Sequence, residues 1–446
     1  MKKFIIWAAC LFGGLSATAQ TTYSLSQILD SARVNNITLG NARLEVEAAR
    51  QQRLEAFTHY FPNISATGLH FNANKGMMQT DINIANGISP EIAAVLGQML
   101  PPEALASLAN PISIEMMKNG TIGAVTAVQP VFAGGQIVNG NKLARVGEEA
   151  SQLKLKLAGN QVEEHAEEYF WQLASLLEKE KTIDSVEGLL NDICKDVNAA
   201  LDAGVAMRND LLQVQLRQND IASQRLKVNN GITLVKMLLA QYCGLPDEDF
   251  SISYDPSADI SLLPRTDAAA AVAGTTEYKL LGKQVEAAKL QHRMEVGKYL
   301  PTVAVGAGYN YHNLLDKDHH FGMVFATVTI PISDWWGGSH AIKRKKIAVQ
   351  QAQNQLADNT ALLRVKIQRA WNDVEEASEQ LAITKRGIEQ AEENLRMNRD
   401  FYNAGTSKMT DLLEAQLLYQ QALDKQTDAF AAYHQKLSAY RHAIGQ

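Results

Sequence analysis

"FYNAGTSKMTDLLEAQ" (401–416) repeats in outline "ALDAGVAMRNDLLQVQ" (200–215). Each runs Ala-Gly, five residues, then Asp-Leu-Leu. The glycines stand 405 − 204 = 201 residues apart and the aspartates 411 − 210 = 201. A glycine just past a helical stretch takes the left-handed conformation that closes a helix. An aspartate a few residues on suits the start of the next helix. The two stretches therefore read as the same helix-turn-helix tip, used twice.

The duplication extends beyond the tips. "VQPVFAGGQ" (128–136) is echoed by "TIPISDWWGGS" (329–339), with Pro130 and Pro331 again 201 apart, and Gly244 and Gly445 keep that offset. Upstream, "LEVEAARQQRLEAFTHYFPNISATG" (44–68) resembles "KQVEAAKLQHRMEVGKYLPTVAVG" (283–306), where Pro62 and Pro301 differ by 239. The offsets disagree by 239 − 201 = 38, so one insertion falls between residues 63 and 129. A period near 200 is too long for a solenoid repeat. The chain reads as a first repeat over 20–243, a linker over 244–266 and a second repeat over 267–446.

Within each repeat the hydrophobic period changes. From Gly135 to Asp202 there is no proline and the pattern is helical, long enough to reach ~100 Å at 1.5 Å per residue. The second copy, Gly338 to Tyr402, carries Ile367, Ala370, Val374, Ala377, Leu381, Thr384, Ile388, Ala391 and Leu395. Those steps alternate three and four, the heptad spacing of a coiled coil. Shorter helices return over 208–243 and 409–444, and helices over about 42–61 and 278–298 supply the missing length, giving a long antiparallel bundle with tips at 203–210 and 404–411. Around the prolines the period becomes two, which predicts strands over 63–74, 119–129, 302–312 and 321–330. "TVAVGAGYNY" sets Val303, Val305, Ala307, Tyr309 and Tyr311 on one face, with Thr302, Ala304, Gly306, Gly308 and Asn310 on the other. Nine to eleven residues, apolar on one side and small or polar on the other, is the length and pattern of a tilted membrane strand. Trp335 and Trp336 follow the last strand, where an interfacial aromatic belt would sit. Four strands cannot close a barrel, and open edges are not tolerated in lipid, so spanning strands require several chains to share one barrel. The alternative is a soluble pair of hairpins packed on helices.

The ends and the composition add compartment. "MKKFIIWAACLFGGLSATAQ" has a basic start, an apolar run and an Ala17-x-Ala19 site, so residues 1–19 read as a secretory signal, with Cys10 offering a lipoprotein alternative. The chain is 46% hydrophobic and 20% charged with net charge −6, which calls for neither disorder nor nucleic acid. Cys194 and Cys243 fall out of register in the first hairpin, so no disulfide is expected. No G-x-S-x-G, H-E-x-x-H, C-x-x-C or phosphate-binding glycine loop is present, and the chain is not read as an enzyme.

The paired tips and the "QPVFAGG" and "IPISDWWGG" junctions resemble those of the TolC-like outer-membrane efflux proteins, over about 24–445. The resemblance implies a fold that is mainly α with a membrane β-barrel portion: a homotrimer in which four strands per chain build one twelve-stranded barrel continuing into an α-helical tunnel. It implies the outer membrane of a Gram-negative-type envelope, with that tunnel in the periplasm. The implied function is a passive exit duct for a tripartite efflux pump or type I secretion system. The implied partners are outer membrane lipids, a periplasmic adaptor (membrane fusion) protein and an inner-membrane RND or ABC transporter. Gly204, Val205, Gly405 and Thr406 then lie on the adaptor-contacting tips. Asp411 and Glu414, one helical turn apart, match the carboxylates that ring the closed pore. Tyr402 matches a latching tyrosine, with Asp210 as its acceptor, whereas Ser407 stands where some members carry a latching arginine. The plainer alternative is that Asp210 and Asp411 cap the helices they open.

Three further features stand apart. "HNLLDKDHH" gathers His312, His319 and His320 with Asp316 and Asp318 in a strand-joining loop, without a spacing that orients metal ligands. The enlarged loop 75–118 holds Met77, Met78, Met99, Met116 and Met117, which suits Cu(I) or, preferred here, adaptable packing around two short helices after Pro90 and Pro102. "KRKK" at 343–346 reads as a solvated helix face. No cofactor or resident metal is expected. A second class of function, a periplasmic coiled-coil scaffold without a pore, would share the helices but not the spanning strands.

Overall fold

The computed structural model describes residues 21–83, 87–246, 249–256, 264–314 and 317–445. The expected signal segment with Cys10, Asp316 of the histidine loop, and parts of the 244–266 linker lie outside the described residues.

Helix-forming runs free of proline become very long helices. α5 spans Gln136–Asp202 (67 residues) and α9 spans Trp335–Asn403 (69 residues), each followed by a shorter return, α6 (Arg208–Cys243) and α10 (Met409–Ala443). α2 (Ile37–Thr58) and α8 (Thr276–Lys298) precede the two proline junctions. The chain divides into two compact units: residues 1–48, 149–284 and 353–446, and residues 49–148 and 285–352.

In the first unit the heptad seam of α9 is the buried stripe. Ile367, Val374, Leu381 and Thr384 are buried, and Ala370, Ala377, Ile388, Ala391 and Leu395 are half-buried. One core cluster gathers Ile367, Ala370, Val374, Ala377 and Leu381 with Phe170, Leu173, Leu239, Tyr433 and Tyr440. Within it Trp171 stacks on His434 at 3.9 Å and 11°, with Phe430 edge-on at 5.7 Å from Trp171. Burial holds His434 down at about 4, so its imidazole stays neutral and packs as an aromatic ring. α1 (Leu25–Asn35) starts at a Ser24–Gln27 capping box. It breaks from α2 at Asn36, whose Oδ1 accepts from the Thr38 and Leu39 N–H groups while its Nδ2 donates to the Tyr242 carbonyl at 3.0 Å.

Further elements of this unit were not foreseen. β1 (Thr21–Ser24) pairs in parallel with β6 (Phe250–Ser253), and α7 is a short helix over Ala268–Val272. The segment expected as a plain linker thus carries a strand, because Phe250 and Ile252 alternate into the core. Cys194 and Cys243 are free thiols. Burial pushes Cys243 up to about 12, so its reactive thiolate is scarce. A maleimide at pH 8 should label Cys194 well before Cys243; equal labelling would show that the α6 C-terminus opens readily.

The second unit contains a four-stranded antiparallel sheet in the order β2 (Asn63–Asn72), β5 (Asn119–Ala133), β7 (Thr302–Asn313), β8 (Asp318–Thr329). β5 runs past Pro130 to Ala133 because the register shifts between Pro130 and Phe132, the irregularity at which a residue without an N–H is tolerated. The registers Ile64↔Ala127↔Ala307↔Val324 and Ala66↔Val125↔Tyr309↔Gly322 place one apolar face across all four strands. Ile64, Val125, Tyr309 and Val324 on it are exposed, Val324 to 86%. The opposite face carries Ser65, Thr126 and Gly308 in one row and Gly306 beneath the Phe325 ring in the next. β2 and β8 are the two edges.

The insertion holds the two expected short helices, α3 (Pro90–Met99) and α4 (Pro102–Ala109), and also a ribbon of β3 (Met78–Ile82) with β4 (Ile112–Met116). Ile112, Ile114 and Met116 alternate with polar residues, a period-two signal that the loop reading passed over. Trp335 and Trp336 follow β8, as expected, and open α9 three residues ahead of the expected Gly338 start; Trp335 Nε1–H donates to the Tyr299 carbonyl at 2.9 Å. Trp336 is 83% exposed. At the β5–α5 junction Gly134 has φ +59°, and its Cα sits against the Gly297 backbone. A Cβ there would overlap the Gly297 carbonyl oxygen and lie 2.8 Å from its carbon.

Candidate gate at the helical tips

Each tip is a glycine-closed helix end followed by an aspartate-opened helix start. Gly204 (φ +76°) donates to Leu201 O at 2.9 Å and Val205 N–H to Ala200 O at 2.9 Å. Gly405 (φ +71°) donates to Tyr402 O at 2.9 Å and Thr406 N–H to Phe401 O at 3.0 Å. This pair of backward bonds is the Schellman arrangement, which satisfies carbonyls the ending helix leaves open. Both glycines have open space where a Cβ would sit, so backbone conformation alone requires them.

The aspartates occupy the third position of the helices that follow. Asp210 Oδ2 accepts from Met207 N–H and Asp411 Oδ2 from Lys408 N–H, both at 3.1 Å. Capping is therefore one role of each carboxylate. Asp411 differs in accepting also from Ser407 Oγ at 3.0 Å. The Lys408 backbone N–H, the Ser407 hydroxyl and then Thr410 hold its carboxyl below the usual aspartate range. At Ser407 the chain thus places a hydroxyl that steadies Asp411 where an arginine was looked for. Asp411 and Glu414 are both exposed, while Met409, Leu412 and Ala415 between and beside them are buried. The helix so presents two carboxylates on its solvent face and anchors the opposite one.

Tyr402 packs half-buried against a second core cluster built from Leu190, Ile193, Val197, Val214, Met409 and Leu412. Burial, then the charges of Asp210 and Asp196, push its hydroxyl upward. Tyr402 and Asp210 feel each other's field, yet no hydrogen bond joins them among the described residues.

Above the tips lies a polar layer the sequence reading missed. Arg217 of α6 donates from Nε to Gln416 Oε1 at 3.0 Å and from Nη2 to Gln420 Oε1 at 2.7 Å. Gln420 Nε2 in turn donates to Gln224 Oε1 at 2.6 Å. Gln416 is fully buried, and its Nε2 has no hydrogen-bond partner among the described residues. Burial lowers the Arg217 pKa from its ordinary value, and among the described residues no carboxylate hydrogen-bonds it. The available signal was the four-residue spacing of Gln416 and Gln420 on the buried face of α10. Elsewhere α5 and α6 are tied by Arg225, bidentate on Glu187 and also bonded to Asp184.

Residues 282–446 match the family model described as "Outer membrane efflux protein". That match covers 446 − 282 + 1 = 165 residues, all within the second repeat. No curated protein sequence matches the chain. Among solved structures, the outer-membrane channel OprN is similar with a TM-score of 0.77 at 15% identity, covering 94% of this chain and 89% of that one. The outer membrane protein VceC from Vibrio cholerae gives 0.74 at 15% identity, covering 94% and 96%. CusC, whose structures concern transmembrane channel formation, gives 0.79 at 13% identity, covering 96% and 93%. At such identities the likeness establishes the fold along nearly the whole chain: the mainly helical, four-strand architecture is that of these channels.

Proposed function

We propose that the chain is the outer-membrane exit duct of a tripartite efflux or type I secretion system, passively conducting what an adaptor and an inner-membrane transporter deliver. The observation that carries this reading is the sheet. It has strands of 10 to 15 residues, one continuous apolar face and two unpaired edges, β2 and β8. In lipid such edges must be paired, so several chains share one barrel; three chains, as the resemblance of the tips and junctions implies, make it twelve-stranded. No helix among the described residues is long and apolar enough to cross a membrane.

The helices continue as a periplasmic tunnel, with Trp335 and Trp336 at the inner membrane–water boundary. Gly204, Val205, Gly405 and Thr406 face the adaptor. Asp411 and Glu414 from three chains form two acidic rings that narrow the closed end, and Tyr402 with Asp210 restrains the second hairpin against the first. A pore-free scaffold is not favoured, since it gives the exposed apolar sheet no purpose. Extraction and planar-bilayer conductance separate the two. The duct requires detergent and conducts, whereas a scaffold washes off with salt and never conducts.

Tyr402→Phe removes only the hydroxyl and leaves the packing. The expected result is a rise in open probability, since the half-buried hydroxyl that sits in the field of Asp210 and Asp196 is lost. Unchanged gating would remove Tyr402 from the restraint and leave Arg217 as the remaining tie.

A further inference from the structure

The loop histidines looked unoriented in the sequence, but the strand register orients two of them. His312 on β7 stands directly opposite His319 on β8, with ring centroids 5.4 Å apart and an interplanar angle of 28°. Directly opposed residues on antiparallel strands have Cβ atoms about 4.5–5.5 Å apart. The stacked rings point their in-plane lone pairs nearly parallel, so the exposed His319 must swing about its side-chain bonds for two imidazole nitrogens to reach one cation at about 2.0–2.1 Å each. Phe321 meets the His312 ring edge-on at 6.3 Å, which limits its rotation. Ile122 flanks it on β5. Among the described residues His312 Nδ1 is buried without a hydrogen-bond partner, and so is Asn310 Nδ2 two residues away on the same face. A desolvated imidazole nitrogen without a partner costs free energy, and a metal ion would recover it.

We propose that His312 and His319 form a bidentate site for a divalent transition-metal cation of the Ni2+, Cu2+ or Zn2+ class. Imidazole suits these ions, whereas Mg2+ and Ca2+ want oxygen ligands. No group of three or more His, Cys, Asp or Glu among the described residues could hold a metal. The pair therefore leaves coordination positions to water, which makes the site exchangeable. Its face is that of Gly306, Gly308 and Asn310, opposite the apolar one. On the duct reading, on which this clause rests, that face lines the lumen. Three such pairs then ring the outer mouth, far along the chain from the acidic tips.

The test is titration of Zn2+ into the detergent-solubilised full-length protein, with Mg2+ as control, followed by Zn2+ added to the outer side of a conducting bilayer. Loss of a mere supporting hydrogen bond costs metal sites about 10–100-fold in affinity, so His319→Ala and His312→Ala should each weaken Zn2+ by at least about tenfold. His320→Ala, whose neighbour on the opposite face is Tyr311, should bind like the parent. Equal binding by parent and His319→Ala, or equal loss in His320→Ala, overturns the pair. Outer-side Zn2+ should reduce current in the parent and not in His319→Ala. Binding through the pair with undiminished current overturns its lumenal placement. A protein that binds Zn2+ through the pair yet never conducts defeats the duct reading and leaves the chelating pair standing.

Discussion

The double replacement of Asp411 and Glu414 by alanine should relieve block by polyvalent cations added on the tip side of a planar bilayer. Charged clefts raise local counter-ion concentration by about 10–10³-fold, so the half-blocking concentration of a polyamine such as spermine should rise by about that factor. Both carboxylates are exposed on one helix face, and Asp411 is held by the Lys408 N–H and Ser407 Oγ at 3.1 and 3.0 Å. Those bonds favour its ionised form, so its pKa in the folded chain lies below the unfolded value. The stabilisation it gives the start of α10 is therefore complete above the usual aspartate pKa and is lost as pH falls through the lowered one. Block by spermine should persist down the pH scale past the point where an ordinary aspartate protonates. Ser407→Ala should move that loss to higher pH while leaving block at pH 7 in place. Block that survives the double replacement unchanged would take the two carboxylates out of the pore.

The second large effect is expected at Gly134. Two costs meet there. Its φ of +59° penalises any side chain by about 1–2 kcal/mol, and a Cβ would overlap the Gly297 backbone, where overpacking adds about 1–3 kcal/mol. Gly134→Ala should therefore destabilise the protein by about 2–5 kcal/mol. Gly204→Ala supplies the comparison: its φ is +76° but nothing lies within 4 Å of its Cβ position. It should show the first cost alone, about 1–2 kcal/mol. Denaturant midpoints of the two variants in one detergent decide the matter. Equal shifts would mean that the strand-to-helix junction yields and the close approach to Gly297 contributes nothing.

Much of this architecture was legible because it is periodic. The seam from Ile367 to Leu395 is buried or half-buried at every step, since a long two-helix contact leaves a three-four signature that no single residue obscures. The apolar face through Val305, Ala307 and Tyr309 was legible for the same reason at period two. The two tip glycines were readable because left-handed backbone has few tenants.

What escaped depended on distant partners. β1 is four residues long and gains meaning only beside Phe250–Ser253, more than 200 positions away. The Arg217 layer requires knowing that Gln416 and Gln420 face α6. The histidines looked like a solvated loop until β7 and β8 were aligned residue by residue. Trp335 and Trp336 were read as following the last strand, with the long helix starting only at about Gly338. The structure instead closes a helical turn with Gly338 N–H on Asp334 O at 2.9 Å, which makes the tryptophans the first residues of α9.

The two sheet edges are not alike: β2 is a 10-residue strand beginning at Asn63 and β8 a 12-residue strand ending at Thr329. If one chain's β8 accepts the next chain's β2, the joint is head-to-tail, and a pair of chains still offers one free edge of each kind. Such association stops only when the last joint meets the first. Completion is then a property of the ring, not of any subunit. A lesion along either edge harms intact neighbours as well as its own chain, and in a cell making both versions it would be inherited as a dominant defect.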